Sequence, residues 1–365
     1  MTLREAFAHP QFLFASNAAH PRSPWQEELR DLPPAYFALV MATGIVAIAC
    51  HLEGLDLLAK GLAALNVAAL AVLVVMTALR LALFPRAFLH DLGDYHRGVG
   101  FFTIIAGVAV LGSDLATIFG LYRLPLALWI AAAVLWVLIT YSIFSGFIMK
   151  ENKPLLAWGI HGGWLLAVVA TEAIAQLPLL LLPHMQNRGG ILFFCLALWL
   201  CGGMLYIWMI SLIFYKYTFF SLSPDELMPS YWIDMGAMAI ATVVGTLLVE
   251  RIPGSPFADL APFLKGFTIL FWAIATWWFP MLAILSVWRH LVRPVPLVYD
   301  PLYWGAVFPL GMYAVATYHV AELTGMAFLL VIPRVLVYVA LAALAWVAAA
   351  MGAAVLTALR ENRAY

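Results

Sequence analysis

Residues Leu62–Leu83 read LAALNVAALAVLVVMTALRLAL, a run broken by one amide and one cation. Apolar positions do not alternate with polar ones, so the run is not a strand of a membrane barrel. As a helix at about 1.5 Å per residue it is roughly 33 Å long, enough to cross a hydrocarbon core of about 30 Å. Ala127–Ile139 reads the same way. Ten such stretches follow one another, at 34–52, 61–84, 98–120, 125–149, 157–182, 190–216, 230–250, 263–290, 301–325 and 332–358. The connections are short, which makes consecutive helices antiparallel neighbours. The predicted fold class is therefore all-α and integral to the membrane, with ten transmembrane helices paired as five helical hairpins in one domain.

Composition requires the same class. The chain is 65% hydrophobic and 10% charged, with mean hydropathy +0.97. Soluble domains carry about a quarter charged residues. A formal net charge of +0 gives nucleic-acid binding no electrostatic support. Cys50, Cys195 and Cys201 all fall inside apolar stretches and read as small buried hydrophobes, not as a disulfide frame or a metal site. There is no P-loop, dinucleotide turn, zincin helix or CxxC, and the nine histidines are scattered. No enzyme, metal or cofactor is expected.

Residues 1–33 form a polar tail with Pro10, Pro21, Pro24 and Pro33 and no apolar signal-peptide core. A short interfacial helix is expected near Trp25–Leu32. Residues 34–358 form the transmembrane domain, and 359–365 a short C-terminal tail. Thirteen of the nineteen lysines and arginines fall on the side of the N-terminus and six on the other. That excess predicts that both termini are cytoplasmic, and a multi-pass plasma-membrane (inner-membrane) location is expected.

The odd-numbered stretches differ from the even ones. They hold glycines near their middles and nearly all the buried acids and histidines, whereas the even ones are mostly plain Leu, Ala, Val, Ile and Trp. A bilayer penalises polar groups that it cannot satisfy. Polar content confined to alternate helices predicts an inner set around a pathway and an outer set facing lipid. The pore-lining candidates are Thr43, Gly44, Thr103, Gly107, Trp164, Thr171, Thr242 and Gly305. For the glycines the competing reading is close helix packing, as in Gly159-xxx-Gly163. Candidates for proton or substrate coupling are Asp114, His161, Glu172, Asp234, His319 and Glu322. Local hydrogen bonding is the competing reading for each. No Lys or Arg sits at the centre of a span, which favours anion passage by weak contacts with hydroxyls, backbone N–H groups and helix ends. His90–Arg97 reads as a solvated loop.

At Val40-Met-Ala-Thr-Gly-Ile-Val-Ala47 the chain resembles the tellurite-resistance/C4-dicarboxylate transporter family, which includes malate permeases, sulfite efflux pumps and slow anion channels. The likeness continues through Phe101-Phe-Thr103, Val168-Val-Ala-Thr-Glu172 and Trp304-Gly-Ala-Val-Phe-Pro-Leu310, and covers the ten-span region. It implies a quasi-five-fold array of hairpins around a central pore, with odd helices inside and even helices outside. It also implies that a phenylalanine on the ninth span plugs the pore. The matching residue is Phe308, beside Pro309, and such a ring blocks hydrated ions by sterics and dewetting. Homo-oligomers, often trimers, are implied too, each protomer with its own pore. The implied activity is a permease or channel for small anions, foremost C4-dicarboxylates such as malate or succinate. Efflux of sulfite or another inorganic anion is the alternative within transport. A non-transporting membrane sensor or assembly subunit is the alternative of another class.

Overall fold

Among the residues that the computed structural model describes, 24–293, 295 and 298–361, nine helices are long and apolar enough to cross a membrane. The tails expected at 1–23 and 362–365 lie outside the described residues. We number the long helices α1 (Ala38–Leu52), α2 (Asp56–Leu83), α3 (Phe102–Phe119), α4 (Arg123–Met149), α5 (Leu166–Leu181), α6 (Arg188–Phe219), α7 (Ile233–Arg251), α8 (Ala261–Val287), α9 (Trp304–Thr324) and α10 (Val331–Glu361). α9 is the one outside the nine. It carries Pro309, Gly311, His319 and Glu322, and nearly every residue from Trp304 to Thr317 is buried in protein. A helix enclosed by other helices is freed from the composition that lipid imposes.

The odd helices touch one another in a closed cycle: α1 on α3, α3 on α5, α5 on α7, α7 on α9 and α9 on α1. Each even helix packs on the odd helix before it and leans on a second one. α2 bridges α1 and α3, α4 bridges α3 and α5, and α10 bridges α9 and α1. Burial follows this layering. In the most apolar stretch of α1, α3, α5 and α7, 78–94% of residues are buried, against 17–44% in the even helices. The polarity split in the sequence is thus an inside–outside split in space.

Every odd helix opens with a tight 3₁₀ turn: Pro34–Phe37, Gly98–Phe101, Gly162–Leu165, Pro229–Trp232 and Pro301–Tyr303. Proline at the first position is set up for this, because its φ is helical and its missing N–H would have no intrahelical partner. α3 and α9 end on Gly120 and Gly325 with φ of 63° and 70°, a left-handed stop that glycine adopts without strain.

Helix ends shift by up to five residues from expectation, as at Asp56 for α2, and two segments depart in kind. The fifth helical stretch does not run on from 157: Leu156–Gly159 is a separate turn, and His161 is extended at φ −158° and ψ 167° before the helix restarts. The break lets Gly162 approach the backbone of the α7 entry, where a Cβ would lie 2.7 Å from Tyr231 Cα. Lys216 Nζ takes the freed Ile160 carbonyl at 3.0 Å. The His90–Arg97 segment is not simply solvated either. Pro85–Leu92 is helical, and its Asp91 is buried between Arg80 and Arg97. A helix also forms at Pro24–Asp31, near the expected position.

Candidate functional site

Phe308 is 1% exposed. Its direction follows from its neighbours on α9. Thr317 accepts a hydrogen bond from Trp272 Nε1 of α8 at 3.0 Å, and the Tyr313 hydroxyl meets Thr276 of α8 at 2.8 Å. Tyr303 packs edge-on against Trp346 of α10. At 3.6 residues per turn, Thr317 is two and a half turns from Phe308, and Tyr313 and Tyr303 are each five residues away. The outer helices therefore touch the face opposite Phe308, and the phenyl ring points toward the interior of the cycle.

The flanks of α9 agree. Pro309 packs against Gly236 of α7, and Gly311 packs against Ile45 and Val46 of α1. Phe308 lies between these two contact lines. Thr43 is placed in the same way on α1. Gly44 contacts Asn66 of α2 with Asp114 and Val110 of α3, while Val46 contacts α9. Thr43 falls between them on the side away from α2 and α10, and it is buried. Because Gly311 meets Ile45 and Val46, Phe308 is level with Ala42 and Thr43.

His319 lies eleven residues past Phe308, about three turns on, and so shares its face roughly 16 Å farther along. Gly305 lies one turn before Phe308, and a Cβ there would rest against Ile233 and Ser230 of the α7 entry at 3.6 and 3.9 Å. Thr43, Phe308 and His319 thus fall on the side turned away from the outer helices, and Gly305 lies on the flank toward α7.

The other candidates are engaged by backbone or by neighbouring helices. Thr103 shares its hydroxyl between the carbonyls of Pro34 (3.0 Å) and Gly100 (2.7 Å), tying α3 to the start of α1. Gly44 and Gly107 are close-packing positions between α1 and its neighbours, the competing reading for glycines. Thr171 accepts from Trp136 Nε1 of α4 at 2.9 Å, so it faces outward. Trp164 is half-buried against Phe147 of α4 and donates to the Gly159 carbonyl. Thr242 donates to the Met238 carbonyl of its own helix.

The acids also disperse. Asp114 accepts from Asn66 Nδ2 at 2.8 Å, between α2 and α3. Glu172 is buried against Gly202 of α6. Asp234 is buried at the start of α7, where Tyr206 donates to its backbone carbonyl and Gly162 passes close by. Glu322 is exposed at the far end of α9. His161 Nδ1 caps the Gly163 N–H at 3.1 Å, and its ring stacks on His96 at 4.9 Å. No single coupling cluster gathers them.

The structure adds a cavity that the sequence did not announce. A space of about 180 Å³ is lined by Pro34 and Ala35, Val99 and Gly100, Gly163 and Leu166, Met228, and Pro301 and Leu302. These come from the entries to all five odd helices. Five helix starts therefore converge on one mouth, with Arg97, His96 and His161 also in its wall. Helix N-termini carry partial positive charge and free N–H groups. The wall holds one full cation, Arg97, and one carboxylate, Asp300, whose side chain accepts from the Leu302 N–H, so the attraction for anions comes from the other helix ends. Leu302 is about 10 Å from Phe308 along α9.

A profile of the voltage-dependent anion channel family matches residues 31–352. The uncharacterized membrane protein Rv1735c of Mycobacterium tuberculosis is 38% identical over 114 residues, 31% of this chain. The match spans 58% of that protein's length. Two uncharacterized transporters of Methanocaldococcus jannaschii match more of the chain. MJ0576 is 25% identical over 302 residues, 81% of this chain and 85% of its own length. MJ0762 is 24% identical over 310 residues, 82% of this chain and 88% of its own. With its apolar helices, the chain is a multi-pass membrane protein.

Proposed function

The chain belongs to the voltage-dependent anion channel family, and on that premise we propose that it is a permease or channel for small anions, which cross through the interior of the odd-helix cycle. The observation that supports this reading is the convergence of five helix starts on one mouth ahead of Phe308. An anion entering there meets dipole ends and backbone N–H groups, then an aromatic ring that excludes water. Phe308 is the gate, held in direction by Pro309. Thr43 supplies a hydroxyl at the same level. The interior-facing positions named above carry no fixed cation, so binding is weak and throughput fast.

The substrate class is C4-dicarboxylate, such as malate or succinate, in keeping with the motif at Val40–Ala47. The protein sits in the plasma membrane with both termini cytoplasmic and assembles as a homo-oligomer, a trimer by family likeness. The test is a substrate panel in liposomes containing the purified protein. Malate, succinate, sulfite, nitrate and chloride are offered at two pH values. Saturable dicarboxylate uptake or anion-selective current is the expected result. Response to sulfite alone would reassign the substrate, and silence across the panel would overturn transport in favour of a sensor or assembly role.

A further inference from the structure

We propose that the cavity between the short helices Pro24–Asp31 and Pro85–Leu92 binds the phosphate headgroup of an anionic phospholipid in the leaflet on the N-terminal side. The cavity measures about 690 Å³ and is separate from the mouth described above. Four arginines line it, Arg30, Arg80, Arg86 and Arg97, against two aspartates.

The charges are not self-compensating. Asp91 is engaged by Arg80 at 2.5 Å and by Arg97 at 2.9 Å, both on Oδ2. Arg80 is 2% exposed, and its Nε donates to the Arg30 carbonyl at 2.8 Å. Arg97 donates to the Asp31 carbonyl at 2.9 Å. These two guanidinium groups therefore close the C-terminal end of the Pro24–Asp31 helix, where cations are favoured. Among the described residues the Arg30 side chain has one ion pair, a long contact to Asp31 at 3.9 Å. Arg86 is exposed and makes no ion pair among the described residues. The first turn of the Pro85–Leu92 helix also lines the cavity and has no side-chain cap. Two guanidinium groups with charge to spare and a positive helix end thus face one space.

Position selects a lipid over a soluble anion. The Pro85–Leu92 helix follows directly on the end of α2 at Leu83, where that helix leaves the apolar layer. Leu81, Leu83 and Leu89 are exposed there by 47%, 52% and 62%. Leu83 and Phe84 form part of the cavity wall. A headgroup among the arginines leaves its acyl chains beside these leucines. Basic pockets at a membrane boundary attract anionic headgroups by about 1 kcal/mol per Lys or Arg. Arg97 lines this cavity and the mouth alike, so the lipid would sit one side chain from the path.

The test reads binding, not transport, so it stands apart from the function proposed above. Full-length protein in detergent is titrated with phosphatidylglycerol or phosphatidylcholine, and retained lipid is measured by native mass spectrometry. Wild type is expected to prefer phosphatidylglycerol, and Arg30→Gln and Arg86→Gln each to weaken that preference about fivefold. Both side chains are exposed, and an unchanged thermal midpoint confirms that the variants fold. A preference that survives both substitutions overturns the site. Displacement of the lipid by millimolar inorganic phosphate overturns the lipid assignment, because the cavity would then serve a free anion.

Discussion

Pro309 occupies the space that a side chain at Gly236 would fill: its Cγ lies 2.7 Å from where that Cβ would stand. This contact between α9 and α7 is one turn-step from Phe308 and fixes how α9 is rotated. A proline in mid-helix lacks the N–H for its ladder bond, so the helix is locally soft. The notch at Gly236 holds that soft point in one place.

Gly236→Ala should therefore destabilise the protein by about 1–3 kcal/mol, the usual result of overpacking a full contact. The check is a lowered thermal midpoint in detergent. Wild-type stability would mean that α9 rests elsewhere.

Thr171 and Thr317 each accept an indole N–H from an outer helix, Trp136 and Trp272 respectively. Valine at either position leaves a half-buried indole N–H without its acceptor. Hydrogen bonds between membrane helices are worth about 0.6 kcal/mol on average and at most about 1.7. Thr171→Val and Thr317→Val should each lower stability by that order and leave anion selectivity unchanged, because both hydroxyls face outward. Altered reversal potentials in reconstituted membranes would contradict the outward assignment.

Glu172 faces Gly202 of α6, away from Thr43 and Phe308. Glu172→Gln should keep the pH dependence of anion flux as it is. A shifted profile would bring this acid into the transport cycle. Gly202→Ala is the structural counterpart. Its Cβ would stand 2.1 Å from Glu172 Oε1, and the variant should lose stability.

Asp94 lies in the connection after the Pro85–Leu92 helix. Burial opposes its ionisation, yet the backbone N–H groups of Arg97 and His96 donate to Oδ1 at 2.7 and 2.8 Å, with His96 and Lys150 nearby. Its carboxyl is held below the ordinary value. With the folded value depressed, the unfolded chain takes up the proton first as pH falls. The stabilisation is complete above the unfolded value of about 3.9 and is lost as pH drops through the folded one. The thermal midpoint should fall more steeply below about pH 4 in wild type than in Asp94→Asn. Parallel curves would remove this carboxylate from the acid response.

Much of the layering was legible in the sequence. Thr43, Gly107, Asp114 and Gly236 sit on alternate apolar runs, and those runs are the inner helices. The direction each residue faces was not legible. A helix's rotation about its axis depends on what its neighbours need. Thr171 turns outward because Trp136 needs an acceptor, and Gly44 turns toward α2 and α3 because Asn66 and Asp114 fill the space beside it. Asn66, the lone amide in the opening stretch, was a visible signal for that polar pair. The break before Gly162 comes from its approach to Tyr231, a contact between residues far apart in sequence. The burial of Asp91 likewise depends on Arg80, which arrives from the end of α2. The mouth, built from five separate entries, appears only once the helices are assembled.

The proposed path for anions runs through the odd-helix interior, with the Phe308 ring barring the way. The most direct measurement is anion flux through liposomes holding wild type, Phe308→Ala or the outward-facing Thr171→Val at equal density and verified folding. Flux through Phe308→Ala is expected several-fold above wild type, with Thr171→Val at the wild-type level. Equal flux through all three would contradict it.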